Sequence, residues 1–309
     1  MLPASQAEQQ ILELIHPLDA QRDRETVKLE QAVGRILAAA VTSRLDFPHW
    51  DNSAMDGYAV RYEDVRDCSR DRPVTLTIVE EIPAGTQPQS QIQAGQAARI
   101  FTGAVMPTGA DTVVMQEETQ RNGDRVTILA APQPHAFVRH RGAFYQAGQP
   151  LLPIGTRLQA TEIAMLAAAQ SAEVPVYRQP RVAILSTGNE LVEVDQPLQL
   201  GQIVDSNRYA LMALVAQMGA TPIDLGRVPD DPDALKQAIA DAIATSDMVI
   251  SSGGVSVGDY DYVDEILATL GATIHIRSVA VRPGKPLTVA TCPTPSSLSL
   301  IHISEPTRL

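Results

Sequence analysis

From Arg181 onward the chain alternates short β-branched runs with stretches of helical length, and this alternation constrains the fold more than any other feature. RVAILST, TPIDLGRV and DMVISSGG read as strands, and NRYALMALVAQMG, DALKQAIADAIATS and YVDEILATLG read as the helices between them. ATIHIRSVAV and PLTVAT add further strands. Strands separated by helices of this length require right-handed crossovers, so the sheet is expected to be largely parallel, with helices on both faces. Such sheets bind ligands beyond the carboxyl ends of their strands. The loops after Ser186 and Ser251 are therefore the first places to look for a site.

The preceding residues have a different texture. Ser5 and Glu8 form a capping-box pattern ahead of Ile11, Leu12, Leu14 and Ile15, which predicts a first helix. Val27, Leu29, Val33, Ile36 and Leu37 predict a second over Thr26 to Ala40, weakened at Gly34. From Ser53 to Phe137 the pattern turns to β: Val74, Leu76 and Ile78 alternate with threonines, and Asn122-Gly123 marks a hairpin between 112–119 and 125–129. Residues 138–176 return to helix, with Thr161 as the expected N-cap of EIAMLAAAQSA. The expected organisation is a helical domain from 1–52 and 138–176, a β-domain inserted at 53–137, and an α/β domain over 177–291.

Composition narrows the function classes. A net charge of −12 repels nucleic-acid phosphates, so general nucleic-acid binding is not expected. Two cysteines, Cys68 and Cys292, cannot build a disulfide framework or a cysteine zinc site, which fits a reducing compartment. The first residues carry no signal-peptide pattern and no apolar run reaches a membrane span, so the expected location is the cytoplasm. The six histidines, His16, His49, His135, His140, His275 and His302, show no paired metal spacing.

Several loops carry chemistry. In SSGGVSVGDYDYVDE, the amides of Ser252, Gly253 and Gly254 can turn toward an anion, Ser256 adds a hydroxyl, and Asp259 or Asp261 could hold Mg²⁺ on phosphate oxygens. A glycine turn with an aspartate cap explains the same residues. In LSTGNELVEV, Gly188 makes a tight turn and Glu190 sets a carboxylate at the sheet edge. Asp205-Ser206-Asn207 and Asp230-Asp231 each precede a helix, where anion binding and plain capping compete. Arg282-Pro283-Gly284-Lys285-Pro286 is a cationic turn that suits an oxyanion, or a solvated hairpin. In the β-region, Asp51, Asp56 and Thr102 sit in turns that structure alone could explain.

DNSAMDGYAV, RIFTGAVMPTGADTVVMQEE, ILSTGNEL, SSGGVSVGDYDY and RPGKP, in that order and spacing, resemble the molybdopterin molybdenumtransferase family, which includes gephyrin and plant molybdenum-cofactor E domains. The resemblance runs from about residue 8 to 291. It implies an α/β multidomain fold: an elongated helical domain, an inserted β-domain, a three-layer α/β domain and a C-terminal β-barrel. It implies Mg²⁺-dependent insertion of molybdate into adenylated molybdopterin with release of AMP, in a homodimer, with the molybdopterin adenylyltransferase as a candidate partner. It assigns Asp56, Thr102, Glu190, Asp230 and Asp261 to catalysis, with Asp261 and then Asp230 on Mg²⁺. It assigns Gly188, Ser252, Gly253, Gly254 and Ser256 to the nucleotide and phosphates, and Arg282, Lys285 and Pro286 to molybdate. Competing readings are an adenylyltransferase-like nucleotide enzyme and a scaffolding fragment of the same family.

The chain departs from that pattern in three places. Ala143-Phe144 stands where the family has an acidic pair, and Ser278 where a lysine is common, with Arg277 beside it as a stand-in. The family's GLPGNP segment and final barrel do not follow, and PTPSSLSLIHISEPTRL shows neither caps nor periodicity, so residues 292–309 are expected to be a non-native tail on an incomplete α/β domain. Resequencing the coding locus is expected to show a different reading frame beyond Thr291; a native stop codon directly after Leu309, with this tail intact, would refute that.

Overall fold

The computed structural model describes residues 1–253, 260–282, 285–292 and 298–303, with backbone alone at 260–262 and 298–303. The chain divides into two compact units, Thr26–Pro175 and a second made of Met1–Glu25 with Val176–Leu309.

The first unit is built on a six-stranded sheet of β1 (Gly57–Val60), β2 (Val74–Ile82), β3 (Gln96–Ile100), β4 (Thr112–Met115), β5 (Thr119–Asn122) and β6 (Arg125–Ile128), in the order β4-β1-β3-β2-β6-β5. Apolar side chains fill both faces. Tyr58, Val60, Leu76, Ala97, Val114 and Val126 pack on one side, and Ala59, Ile82, Ala98, Ile100 and Val113 on the other. That is why β1 is buried along its whole length rather than alternately. The Asn122-Gly123 turn forms as its chemistry predicts, with Gly123 at φ +63° and Asn122 opposite Arg125. Its two strands are shorter than expected, because β4 leaves the hairpin to pair with β1.

Three local expectations are corrected. No helix spans Thr26 to Ala40: Arg24–Lys28 is a strand, Leu29–Gln31 a single 3₁₀ turn, and Gly34 sits at φ +79°. Backbone partners explain the failure, since Gly34 and Leu37 donate to the carbonyls of Leu158 and Thr156 instead of to a preceding helical turn. Helix α1 (Ala4–Leu14) starts two residues early, behind Pro3, and makes no side-chain cap. Helix α2 (Ala160–Ala168) is capped at Gln159, whose backbone N–H donates to Glu162, while Thr161 lies inside the first turn. Over 1–52 and 138–176, α1 and α2 are the α-helices among the described residues.

The second unit follows the alternation read from the sequence. Its strands are β7 (Arg181–Thr187), β8 (Thr221–Val228), β9 (Met248–Gly253), β10 (Thr273–Ser278), β11 (Pro286–Cys292) and β12 (Leu298–Ile303), ordered β8-β7-β9-β12-β11-β10. The first four in that order run parallel, and β11 and β10 complete the sheet antiparallel. Between the strands lie α3 (Ser206–Gln217), α4 (Pro232–Thr245) and α5 (Tyr260–Thr269). The strand period of two sorts the core. Val182 and Ile184 face Leu211, Met212 and Val215 of α3, while Ala183 and Leu185 face Ile239 and Ala242 of α4 and Leu267 of α5. Each such fully buried aliphatic side chain contributes about 1.5–3 kcal/mol. Helix α1 joins this unit, setting Ala7 against Ile276, Val279 and Val289. The stretch read as lacking regular structure contributes β12, paired to β9 on one side and β11 on the other. No helix among the described residues is long and apolar enough to cross a membrane.

Arg178 ties down the amino edge of this sheet. Its guanidinium donates to both carboxylate oxygens of Asp247, at 2.6 and 2.8 Å, and to Asp23 at 2.9 Å. Asp247 also accepts the Arg181 N–H at 2.7 Å. Burial pushes both carboxyls upward, yet hydrogen bonds outweigh it and hold both below the ordinary value: from the Asp19 N–H, Arg22 and Arg178 at Asp23, and from Arg178 and the Arg181 N–H at Asp247. Arg178→Met is expected to cost about 2–4 kcal/mol, because Asp247 loses its bidentate partner and Asp23 keeps only Arg22. Carboxyls with depressed folded values stabilise the native state above the unfolded value of about 4 and lose that contribution as the pH falls through the folded values. Urea unfolding between pH 7 and pH 3 should therefore show a shallower acid loss in the variant than in the parent; parallel curves would contradict this account.

Candidate active site

In the strand order β8-β7-β9, the chain leaves β7 for a neighbour on one side and returns to a neighbour on the other. Such a switch point is where open α/β sheets form a ligand crevice, beyond the carboxyl ends of the strands and near helix amino termini. Parallel register sets Ser186 beside Ser252 and Thr187 beside Gly253. Both strands end in glycines at positive φ, Gly188 at +144° and Gly253 at +94°. A Cβ on Gly253 would overlap the Thr187 carbonyl, so this close approach of two strand ends admits no side chain.

The loop after β7 carries two of the expected residues. Glu190 folds back over Gly188, with Oε2 2.7 Å from where a Cβ at 188 would stand. Asn189 donates its backbone N–H to Asp230 Oδ2 at 3.0 Å, bringing the loop after β8 to the loop after β7. Asp230 is thus a loop-bridging carboxylate, whereas its neighbour Asp231 caps α4 by accepting the Ala234 N–H at 2.8 Å. Gly188, Glu190 and Asp230 come together at this edge.

Asp205 resolves in favour of capping: it accepts the Arg208 N–H at the start of α3. It is also buried, at 2% exposure, and takes the Ser186 hydroxyl at 3.1 Å. Arg208, 4% exposed, pairs with Asp205, Asp224 and Glu193. Burial works against its charge, but the three carboxylates win and raise its value further. Sequence reasoning missed both Ser186 and Arg208. Ser186 has the parity of Ile184 and so looked like one more strand position, and two of the three partners of Arg208, Asp224 and Glu193, lie on other elements.

The cationic turn lies at the same edge. Leu287, the second residue of β11, is opposite Ile303, and Ile303 is opposite Ser252. Two strand spacings, about 10 Å, thus separate the entry of β11 from the end of β9. Arg282 and Lys285 are both exposed, and the Lys285 carbonyl accepts the Val279 N–H at 3.0 Å. Pro286 opens β11. Arg277, expected to stand in for a lysine, instead pairs with Asp264 of α5. Gly254 and Ser256 lie outside the described residues, and Asp261 is placed only by its backbone, in the first turn of α5. Among the described residues no group of three or more histidines, cysteines and carboxylates could cage a metal ion.

In the other unit, Asp56 and Thr102 do meet. Asp56 Oδ1 accepts the Thr102 hydroxyl at 2.7 Å and the Thr102 N–H at 2.8 Å. These two bonds, the hydroxyl first, hold the carboxyl below its ordinary value and so ionised at neutral pH. Asp51 accepts the Arg141 N–H at 2.7 Å on the neighbouring turn. Phe144, where the acidic pair was expected, is 69% exposed and leans on Phe47 with ring centroids 5.8 Å apart.

A chain with a three-layer α/β unit that has a built carboxyl edge, and a β-rich unit that carries an ionised aspartate, belongs to a class that known proteins share. Residues 2–169 match the family described as the MoeA N-terminal region (domain I and II), and residues 183–301 match a probable molybdopterin binding domain. A molybdopterin molybdenumtransferase of Nostoc sp. is 66% identical over 285 residues, covering 92% of this chain and 65% of the relative. One of Haemophilus influenzae is 39% identical, covering 93% and 69%. The crystal structure of a molybdopterin biosynthesis MoeA protein from Pyrococcus horikoshii superposes with a TM-score of 0.81 at 32% identity, over 98% of this chain and 74% of that one. The chain belongs to the MoeA family. It spans about 65% of the length of the Nostoc relative.

The two edge glycines should respond differently to a methyl group. Gly253→Ala forces a side chain into a backbone carbonyl at positive φ and is expected to cost about 3 kcal/mol or more. Gly188→Ala meets the mobile end of Glu190 and should cost about 1–2 kcal/mol. Urea midpoints compare the two; equal losses would contradict the geometry.

Proposed function

We propose that this chain carries the molybdopterin-binding part of a molybdopterin molybdenumtransferase, which takes adenylated molybdopterin and molybdate, releases AMP with Mg²⁺, and leaves molybdenum on the dithiolene. The observation that carries the reading is the shared edge: the glycine-serine end of β9 and the entry of β11 behind the Arg282–Lys285 turn lie at one level of the sheet. Anionic ligands gain from amides and cations converging on one rim, and an acidic protein offers few such places. The names of the relatives, molybdopterin molybdenumtransferases, support the chemistry.

In this reading Gly188, Ser252, Gly253, Gly254 and Ser256 receive the nucleotide end, while Arg282, Lys285 and Pro286 receive molybdate. Glu190 and Asp230 line the edge, and Asp56 and Thr102 supply the ionised carboxylate of the β-domain. Mg²⁺ commonly needs only one or two protein carboxylates, with phosphate and water completing its shell. Asp230 fits, since one carboxylate oxygen bonds Asn189 and the other is left for a cation, with Asp261 as the second ligand. When bound, the ion would neutralise charge on the phosphate oxygens. A cytoplasmic homodimer working with the molybdopterin adenylyltransferase belongs to the same proposal, as does the division into helical, inserted β and α/β domains.

The test is direct. The chain is mixed with adenylated molybdopterin, molybdate and Mg²⁺, and AMP is followed. Release that needs Mg²⁺ and falls about 100-fold or more in Asp261→Asn, as loss of an electrostatic contact in the transition state would give, supports the reading. Undiminished release in that variant, or adenylation of free molybdopterin from ATP, overturns it.

A further inference from the structure

Three hydroxyl and carboxylate groups form one line behind the crevice. Ser252 Oγ lies 3.3 Å from Ser186 Oγ, and Ser186 Oγ lies 3.1 Å from Asp205 Oδ1. All three residues are at least 96% buried, with exposures of 4%, 0% and 2%. The line continues into Arg208, whose Nε stands 3.1 Å from Asp205 Oδ2. That contact is an ion pair without hydrogen-bond alignment, because neither atom has a hydrogen-bond partner. Arg208 reaches onward to Asp224 on β8 at 2.9 Å and to Glu193. One cation thus pairs with a buried carboxylate and ties it to a second strand and a loop.

Proton counting gives the line a direction. An ionised aspartate only accepts, so the single Ser186 proton points to Asp205. Ser186 then has only lone pairs to offer Ser252, so the Ser252 proton points to Ser186. The Ser252 hydroxyl is committed inward and has no proton left for a ligand. We propose that Asp205, acting through Ser186, is a positioning residue for the end of β9, and that Ser252 is the anchor of this strand end rather than a side-chain donor to phosphate. The Ser252 and Gly253 N–H groups belong to the ladders with β7 and β12, so what the buried line sets is the position of the strand end that an anion approaches. The inference rests on the functional reading above for its ligand, and on side-chain geometry alone for its mechanical part.

The experiment uses the full chain and has two arms. In the first, without ligand, amide hydrogen exchange is compared in the parent, Ser186→Ala, Ser252→Ala and Asp205→Asn. Exchange at 252–253 is expected to speed up about tenfold in each variant while 248–250 stays unchanged, as for a local rather than a global opening. In the second arm, AMP binding is measured by calorimetry. Ser186→Ala and Ser252→Ala should each weaken it about five- to tenfold, the scale of one hydrogen bond, and the double variant should be no worse than either single one. Ser186→Ala keeps the Arg208–Asp205 pair, so it reports on the line even if Asp205→Asn unfolds the chain. Unchanged exchange at 252–253 in Ser186→Ala overturns the proposal. So does a loss of AMP affinity in Ser252→Ala alone, which would make its hydroxyl a direct donor. If the parent itself fails to bind AMP, the functional reading falls, and the exchange arm still decides whether the line positions the strand end.

Discussion

The parallel pairing of β7 with β9 sets what the α/β unit can do. With Ser186 beside Ser252 and Thr187 beside Gly253, two strands end at the same height. Everything at the candidate site follows from that register. Gly253 must be glycine because the Thr187 carbonyl occupies the place of a side chain. Gly188 must turn at once to let Asn189 reach Asp230. A slip of one residue would turn Ser186 and Ser252 away from Asp205 toward the α4 side of the sheet, breaking the buried line and the crevice together.

Charge is arranged around that register in two layers. Deep in the unit, carboxylates are matched by arginines: Asp23 and Asp247 by Arg178 at the amino end of the sheet, and Asp205 by Arg208, which also reaches the exposed Asp224. Near water, Glu190 and Asp230 stay exposed, and across the same edge stand Arg282 and Lys285. An acidic chain that concentrates cations and free amides at one rim creates a local reversal of its own field, which is where an anionic ligand gains most.

The sequence made the α/β order legible because short apolar strands alternate with helices, and α3 and α4 carry start signals at Asp205 and at Asp231-Pro232. It misled at Thr26 to Ala40, where apolar spacing mimicked a helix but the backbone groups found partners on 156–158. It showed no pattern over 298–303, where β12 is held by two flanking strands rather than by any local signal. At the site, Asp56 with Thr102 and Glu190 with Gly188 were readable because each is local or carried by a motif. Ser186 was not, since its importance arises from an adjacent strand and a helix cap that meet only in three dimensions.

The central claim is that an anionic nucleotide ligand lies at the carboxyl edge between the end of β9 and the entry of β11. A crystal structure of the chain with AMP tests it most directly. The account predicts the phosphate beyond the carboxyl end of β9, on the side that faces the Arg282–Lys285 turn. A phosphate bound at the amino edge of the sheet, or anywhere away from these two features, would contradict it.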